Sequence, residues 1–364
     1  MNELLISKSD ILHNIEVIKS KINAKIIAVI KCDGYGLGLF TMAELLKDFG
    51  CFGITETWEL EALRGGSYTQ DMLIMRSSAL ASDNEIIVKY DGIANVGSHA
   101  DATALATAAK VQGKTARAHI SIDTGMARDG FGLDDTAEIQ KLIKQYPEIK
   151  FEGIFTHFNS SFTDKVRTKT QLDAFLAYIG KLESMGVSFE SVHAANSSAA
   201  FNLPESILSC ARIGSAFIGR LAVKSDLRPV GITKTVVSGI KEVKKGENIG
   251  YLAAHKVKRA QKLAVLPIGT HDGFGTCPSP DINNFKIYTH SVLSGFKKLL
   301  RGTAPFMVTI NGKRYPTVGH IGSNHTLVDI TNSNIKIGDE CFIDMNPMHI
   351  MKSVKRVVIE TPPE

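Results

Sequence analysis

The sequence predicts a (β/α)8 barrel of the TIM type followed by a mostly β domain, the first over residues 1–225 and the second over 226–364. Three observations lead there. From about residue 10 to about residue 220, short apolar runs alternate with amphipathic stretches. The alternation repeats about eight times, more than an open doubly wound sheet usually needs and the number a closed barrel requires. Past about residue 225 the periodicity changes to residue-by-residue alternation of apolar and polar side chains, the mark of half-buried strands.

Taken in order, the predicted barrel strands are Ile26–Ile30, Cys51–Ile54, Met72–Met75, Ile93–Val96, Ala118–Ile122, Phe151–Phe155, Phe189–His193 and Ser209–Ile213. Helical segments such as "TMAELLKDFG" and "TQLDAFLAYIGKLESMG" lie between them; the second places apolar residues near i, i+3, i+4 and i+7 and ends on glycine. The "LDDTAE" run from Leu133 reads as a helix start whose acids are favoured by the helix dipole. In the second half, "KTVVSGIKEVKKGENIGY" and "FMVTINGKRYPTVGHI" read as strands, and Asn311-Gly312 between two alternating runs predicts a hairpin turn. "NSNIKIGDECFIDM" reads as a strand with an acidic turn.

Composition bounds the function. At 364 residues the chain has room for two domains with substantial cores. Hydrophobic content of 44% and charged content of 22% are those of an ordinary globular protein. The net charge of +5 arises from 42 basic and 37 acidic residues that are dispersed, and short clusters such as Lys297-Lys298 read as solvated faces. No nucleic-acid partner is expected, because that needs dense basic stripes with interleaved aromatics. "MNELLISKSD" has no signal-peptide pattern and no apolar run reaches spanning length, so a cytoplasmic protein without membrane attachment is expected. Five cysteines without a CxxC pair argue against a disulfide framework or zinc ribbon. His119, His193 and His325 show no metal-ligand spacing, so structural histidines and no metal are expected.

In such a barrel, chemistry collects at the carboxyl ends of the strands. Those ends read Lys31, Thr55-Glu56, Arg76, His99, Asp123 with Arg128, His157, His193 with Asn196-Ser197, and Arg212 with Gly214-Ser215. In "AVIKCDGYGLG", a lysine ends an apolar strand beside three glycines. The residues alone allow a simple surface turn or a covalent handle with space for a ligand. In "ARIGSAF", the Gly214 and Ser215 backbone N–H groups could cradle a phosphate, while Arg212 could equally be an ion-pair partner. "HAANSSAA" reads as a helix start capped by Asn196 or Ser197, which is compatible with anion binding. Trp58 reads as helix packing, and Thr55 and Glu56 as possible lining of the barrel mouth.

A lysine, a phosphate cradle and a charged partner for a ring nitrogen are what pyridoxal phosphate requires. The motifs resemble those of the alanine racemase family: "AVIKCDGYGLG" is similar to its AVIKANAYGHG, and "DTGMARDG", "GIFTHF", "HAANSSAA", "ARIGSAFIG" and "LPIGTHDGFG" follow in family order. The resemblance covers almost the whole chain. It implies a pyridoxal 5'-phosphate-dependent amino-acid racemase acting on a small amino acid, built as a head-to-tail homodimer with sites shared across the interface. By the same resemblance Lys31 carries the cofactor as an aldimine and Tyr35, Ser197, Gly214 and Ser215 bind its phosphate. His157 flanks the ring, Arg212 faces the pyridine nitrogen, and Arg128 lies near the substrate carboxylate.

The resemblance breaks at the second base. The family's tyrosine in IGYADG is Thr270 in "IGTHDG", and an alkoxide is far harder to form than a phenolate, whose parent has a pKa of about 10. His271 beside it is a candidate substitute, and Tyr251 a second. The family's CMD is Gly322-Ser323-Asn324, where Ser323 and Asn324 add hydrogen-bonding capacity at the substrate end. Ser121 stands where the family has an arginine-orienting lysine, Leu37 where it has a histidine, and Asp344 where it has a tyrosine. Three readings are open: a racemase with a substitute base, a pyridoxal phosphate enzyme of altered substrate or outcome, and a non-catalytic cofactor-binding relative.

Overall fold

The computed structural model describes residues 2–250, 255–276 and 306–363. After a first strand, β1 (Glu3–Ser7), eight parallel strands close into a barrel: β2 (Lys25–Val29), β3 (Cys51–Ile54), β4 (Asp71–Ser77), β5 (Ile93–Val96), β6 (Ala116–Ile122), β7 (Ile149–Thr156), β8 (Ser191–Asn196) and β9 (Cys210–Ile213). Closure is made by β9 lying beside β2, with Cys210 opposite Lys25 and Ile213 opposite Ala28. The barrel predicted from the alternation is the barrel observed. Ile30 and Ser209, at the ends of the first and eighth predicted runs, fall just outside β2 and β9, and the seventh run is the most displaced. The pairing of Gly153 with Ser191 and of Phe155 with His193 sets β8, so Phe189 lies in the loop before it.

The helices form where local chemistry demands. Lys8–Lys21 starts on Ser7, whose hydroxyl accepts from Asp10 N at 3.2 Å, and buries Ile11, Ile15 and Ile18 at helical spacing. Lys165–Ser184 starts on Asp164 and buries Leu172, Phe175, Ile179 and Leu182 along one stripe. In the "LDDTAE" run the helix is Thr136–Gln145, with Asp135 at its start.

The second half contributes β10 (Ile232–Val236), β11 (Gly239–Val243), β12 (Asn248–Ile249), β13 (His255–Lys256), β14 (Gln261–Leu266), β15 (Met307–Ile310), β16 (Lys313–Val318), β17 (Thr326–Asp329), β18 (Glu340–Ile343) and β19 (Lys355–Ile359). Among the described residues, nine strands form one sheet in the order β11-β14-β17-β16-β15-β18-β10-β1-β19. The β15–β16 hairpin turns on Asn311 (φ 50°) and Gly312 (φ 71°), the two positive φ values a tight hairpin needs. The chain divides into two compact units, Ser7–Val230 and Met1–Ile6 with Gly231–Glu364. Residues before Ser7 join the second unit because β1 pairs antiparallel with β10. Local patterning does not reveal a pairing between strands that lie on either side of the whole barrel sequence. Among the described residues no helix is long and apolar enough to cross a membrane.

The register of the barrel wall shifts in three strand pairs, β4–β5, β6–β7 and β8–β9, and the β6–β7 shift lies beneath the site. Between β6 and β7, Ala118 pairs with Phe151 and His119 with Gly153, so Glu152 is an extra residue in a bulge. Gly153 then passes under the His119 ring so closely that a Cβ there would lie 2.6 Å from Cγ, Cδ2 and Nε2. Gly153→Ala is therefore expected to lower the unfolding free energy by about 1–3 kcal/mol, the range for overpacking a core. Urea denaturation checks it.

Candidate active site

The carboxyl ends of the strands open on a cavity of about 720 Å3 whose lining includes Lys31, Tyr35, Thr55, Glu56, Arg76, Arg128, His157, Asn196, Ser197, Arg212, Gly214 and Ser215. Lys31 follows β2 almost directly. Beyond it, Cys32, Asp33, Gly34, Tyr35 and Gly36 have φ of 56°, 56°, 62°, 55° and 83°, one turn of left-handed helix. Each non-glycine residue in that conformation costs roughly 1–2 kcal/mol. The surroundings hold it. Gly34 N donates to Ile30 O at 2.9 Å, Gly38 N to Asp33 O at 2.9 Å, and Leu39 N to Asp33 Oδ1 at 2.8 Å. The fully buried Glu59 carboxylate accepts from Asp33 N at 3.4 Å, Thr55 N at 2.9 Å and Glu56 N at 3.1 Å. Strain maintained this way marks functional sites.

The left-handed turn brings Tyr35 to Gly214, where a Cβ would lie 2.2 Å from the Tyr35 hydroxyl. Burial, then Cys32, pushes the phenol well above its usual range, so it stays protonated and can donate. In the same corner Ser197 Oγ accepts from Gly214 N at 2.9 Å, and Asn196, the cap of the following short helix, accepts from Ala199 N at 3.0 Å. A hydroxyl, a phenol and small-residue backbone thus line one end of the cavity.

Arg212 forms its floor. The side chain is buried, and among the described residues no carboxylate lies within ion-pair distance of it. Its donors go instead to neutral acceptors: Thr156 O at 2.7 Å, Ala194 O at 3.0 Å, His193 O at 3.3 Å and His193 Nδ1 at 2.5 Å. Burial lowers its pKa to about 10, still a cation at neutral pH. Arginine can only donate. His193 Nδ1 must therefore accept, which leaves the proton on Nε2, and that nitrogen lies 2.9 Å from His119 Nδ1. The donor chain runs from Arg212 through two neutral imidazoles toward Glu152, whose Oε1 is 4.0 Å from His119 Nε2. Burial first and then the neighbouring cations hold His193 well below its ordinary value and lower His119 to about 4. Phe155 stacks on His193 with ring centroids 4.9 Å apart. His157, which lines the cavity, is pushed down to about 3 by burial, then by Arg212, Arg128 and Lys31.

Arg128 is carried by a tightly tied loop. The Asp123 carboxylate accepts from Gly125 N at 2.8 Å, Met126 N at 2.7 Å and Ala127 N at 3.0 Å. Burial raises its pKa, but these N–H donors outweigh that and hold it below the usual carboxylate range. Gly130 (φ 115°) passes so close that a Cβ would lie 2.7 Å from Asp123 N.

Not every strand-end residue joins the cavity. His99 begins a helix, where its ring meets Phe131 edge-on and Nε2 lies 3.6 Å from Glu138. Asp123 serves the loop and His193 lies beneath Arg212. Thr270, His271, Ser323 and Asn324 belong to the second unit and are exposed. Backbone bonds bring three of them together: Thr270 N donates to Gly322 O at 2.9 Å and His271 N to Ser323 O at 3.0 Å. Asp344 is exposed just past β18, and Tyr251 lies outside the described residues. The sequence reading missed Asp129 and Asn95, which meet behind Arg128. An acid directly after Arg128 was the available signal for the first, and only the barrel register reveals the second.

Comparison with known proteins shows the family. The family described as alanine racemase, N-terminal domain matches residues 6–221, and alanine racemase, C-terminal domain matches residues 230–356. An alanine racemase of Clostridium tetani is 31% identical over 355 residues, covering 92% of this chain and 83% of that one. An alanine racemase of Methylacidiphilum infernorum is 33% identical over 340 residues, covering 91% and 80%. The solved alanine racemase of Clostridium difficile 630 superposes with a TM-score of 0.85 at 26% identity, over 98% of this chain and 95% of that one.

The neutral histidines make stability depend on pH. Below pH 6.5 His119 takes up a proton in the unfolded chain but not, until about pH 4, in the folded one. The unfolded state then binds more protons, so the unfolding free energy is expected to fall as pH drops through that window. His119 contributes about 1.4 kcal/mol per pH unit. His119→Gln should flatten the dependence by about that amount, measured by denaturant unfolding across the window.

Proposed function

The chain belongs to the alanine racemase family, and from that membership we propose that it is an amino-acid racemase, an isomerase that uses pyridoxal 5'-phosphate bound in the barrel cavity. The observation that carries the reading is the convergence of Lys31, Tyr35, His157, Ser197, Arg212, Gly214 and Ser215 on one cavity. These residues fit that cofactor. An amine at one wall can attach its aldehyde covalently. The Tyr35–Ser197–Gly214–Ser215 corner suits its phosphate. A buried guanidinium with no carboxylate partner among the described residues suits its ring nitrogen. When bound, the cofactor acidifies the Cα–H of an amino acid by drawing electrons into its pyridine ring.

The chain's own groups do the rest. Arg212, even at a pKa of about 10, remains charged and does not hand a proton to a ring nitrogen at neutral pH. That leaves the electron sink shallow, which favours returning a proton to Cα over side reactions. Lys31 Nζ takes or returns the Cα proton on one face, and Arg128 holds the substrate carboxylate. His157, kept neutral, flanks the ring without adding charge. For the opposite face, Thr270 Oγ1 is a poor base, and His271 in the same exposed turn is the candidate. That turn serves a site completed by the second copy in a homodimer, as in the family pattern.

Thr270 favours a second reading, in which the enzyme exchanges the Cα proton on one face without full inversion. The test is incubation of the cofactor-loaded protein with L- and D-amino acids in heavy water, followed by chiral analysis and mass spectrometry. Racemisation of alanine, lost with Lys31→Ala together with the visible absorption of the lysine-bound cofactor, is the expected result. Label uptake with retained chirality establishes the second reading. Neither exchange nor inversion with any substrate in the panel overturns both.

A further inference from the structure

We propose that Asp129, anchored by Asn95, is the positioning residue that presents Arg128 to a substrate carboxylate; this rests on the reading of Arg128 as the group that holds that carboxylate. The loop that carries both residues is closed at its base by Asp123 N donating to Phe131 O and Phe131 N to Ser121 O, each at 2.9 Å. With Ala127 and Gly130 both at positive φ, the backbone delivers Arg128 and Asp129 side by side to the cavity.

Arg128 is half exposed, and an unsupported arginine there would sample many rotamers. Its Nε donates to Asp129 Oδ1 at 3.2 Å. That contact engages the inner edge of the guanidinium and leaves Nη1 and Nη2, the paired edge that matches a carboxylate, for a ligand. Asp129 is itself fixed. Its Oδ2 accepts from Asn95 Nδ2 at 3.2 Å, and the same amide nitrogen donates to Met75 O at 3.0 Å. The amide has only one acceptable orientation, since its flip would set Oδ1 against two acceptors. As it stands, Asn95 Oδ1 is buried with no hydrogen-bond partner among the described residues, and so is Ser121 Oγ on the next strand. An ordinary exposed ion pair contributes little. Here the carboxylate is tied through a buried amide to the barrel wall, so it carries the register of the strands to the guanidinium.

Asp129 also brings a negative charge toward an anionic ligand, and repulsion opposes the positioning. Substitution decides which effect wins. If positioning wins, Asp129→Ala raises the KM for alanine and the dissociation constant of acetate, titrated by NMR, roughly tenfold, the size of one charged hydrogen bond. Asp129→Asn, which can still accept from Nε, recovers part of the loss. In an Arg128→Ala background, Asp129→Ala has no further effect on either constant. Unchanged or tighter acetate binding in Asp129→Ala overturns the proposal, as does a loss of equal size in the Arg128→Ala background. Should the wild type bind acetate in this way yet racemise nothing, the functional reading fails and the positioning role stands.

Discussion

Arg212 is a buried cation with no counter-charge among the described residues, and the organisation of the barrel site follows from accommodating it. Burying an unpaired guanidinium is among the costlier things a fold can do. Here every observed donor finds a neutral acceptor, three of them carbonyl groups at the ends of β7 and β8. Two further contacts go to imidazoles, His193 Nδ1 and, at 3.4 Å, His157 Nδ1, and because arginine cannot accept, the first dictates the tautomer of His193 and in turn of His119. A protonated histidine at either position would set two cations against each other in a dry interior. Their low pKa values and the single direction of the donor chain are therefore one fact seen twice.

The backbone makes corresponding concessions. The Glu152 bulge and the glycine at 153 give His119 its space, and the left-handed turn after Lys31 folds Tyr35 back against Gly214. Glu59, from the helix that follows β3 (Thr57–Gly65), holds that turn and the end of β3 together through backbone N–H groups. Stability is thus traded locally for a fixed relation between an amine, a phenol and a guanidinium. A rigid site of this kind suits a reaction whose chemistry is proton transfer at one carbon, where small displacements are expensive.

Much of this was legible in the sequence. The eight strands were visible because a barrel strand is buried on both faces and reads as an apolar run, and Lys31, Arg212 and Gly214-Ser215 stood out at their ends. The Asn311-Gly312 turn was legible because only a few residue pairs adopt its dihedrals. The displaced β8 was not, since Phe189 is as apolar as the residues that pair. The recruitment of β1 into the second unit was hidden for the reason long-range pairings always are. His119 and His193 were read as structural histidines, and their alignment with Arg212 depends on a bulge that no periodicity encodes. Asp129 was in plain view beside Arg128, and its role emerged only once the register of β5 placed Asn95 behind it. Thr270 was informative as a departure from a pattern, and the departure alone does not identify which group takes the proton instead.

Arg212 polarises a chain of neutral imidazoles, and the histidine ring nitrogens report on that claim directly. Long-range proton–nitrogen correlation spectra of 15N-histidine-labelled protein at pH 7 distinguish the tautomers and the charged form. The expected result is that His193 and His119 each carry one proton, on Nε2, with Nδ1 unprotonated. A doubly protonated ring at either position, or a proton on Nδ1 of His193, would contradict it.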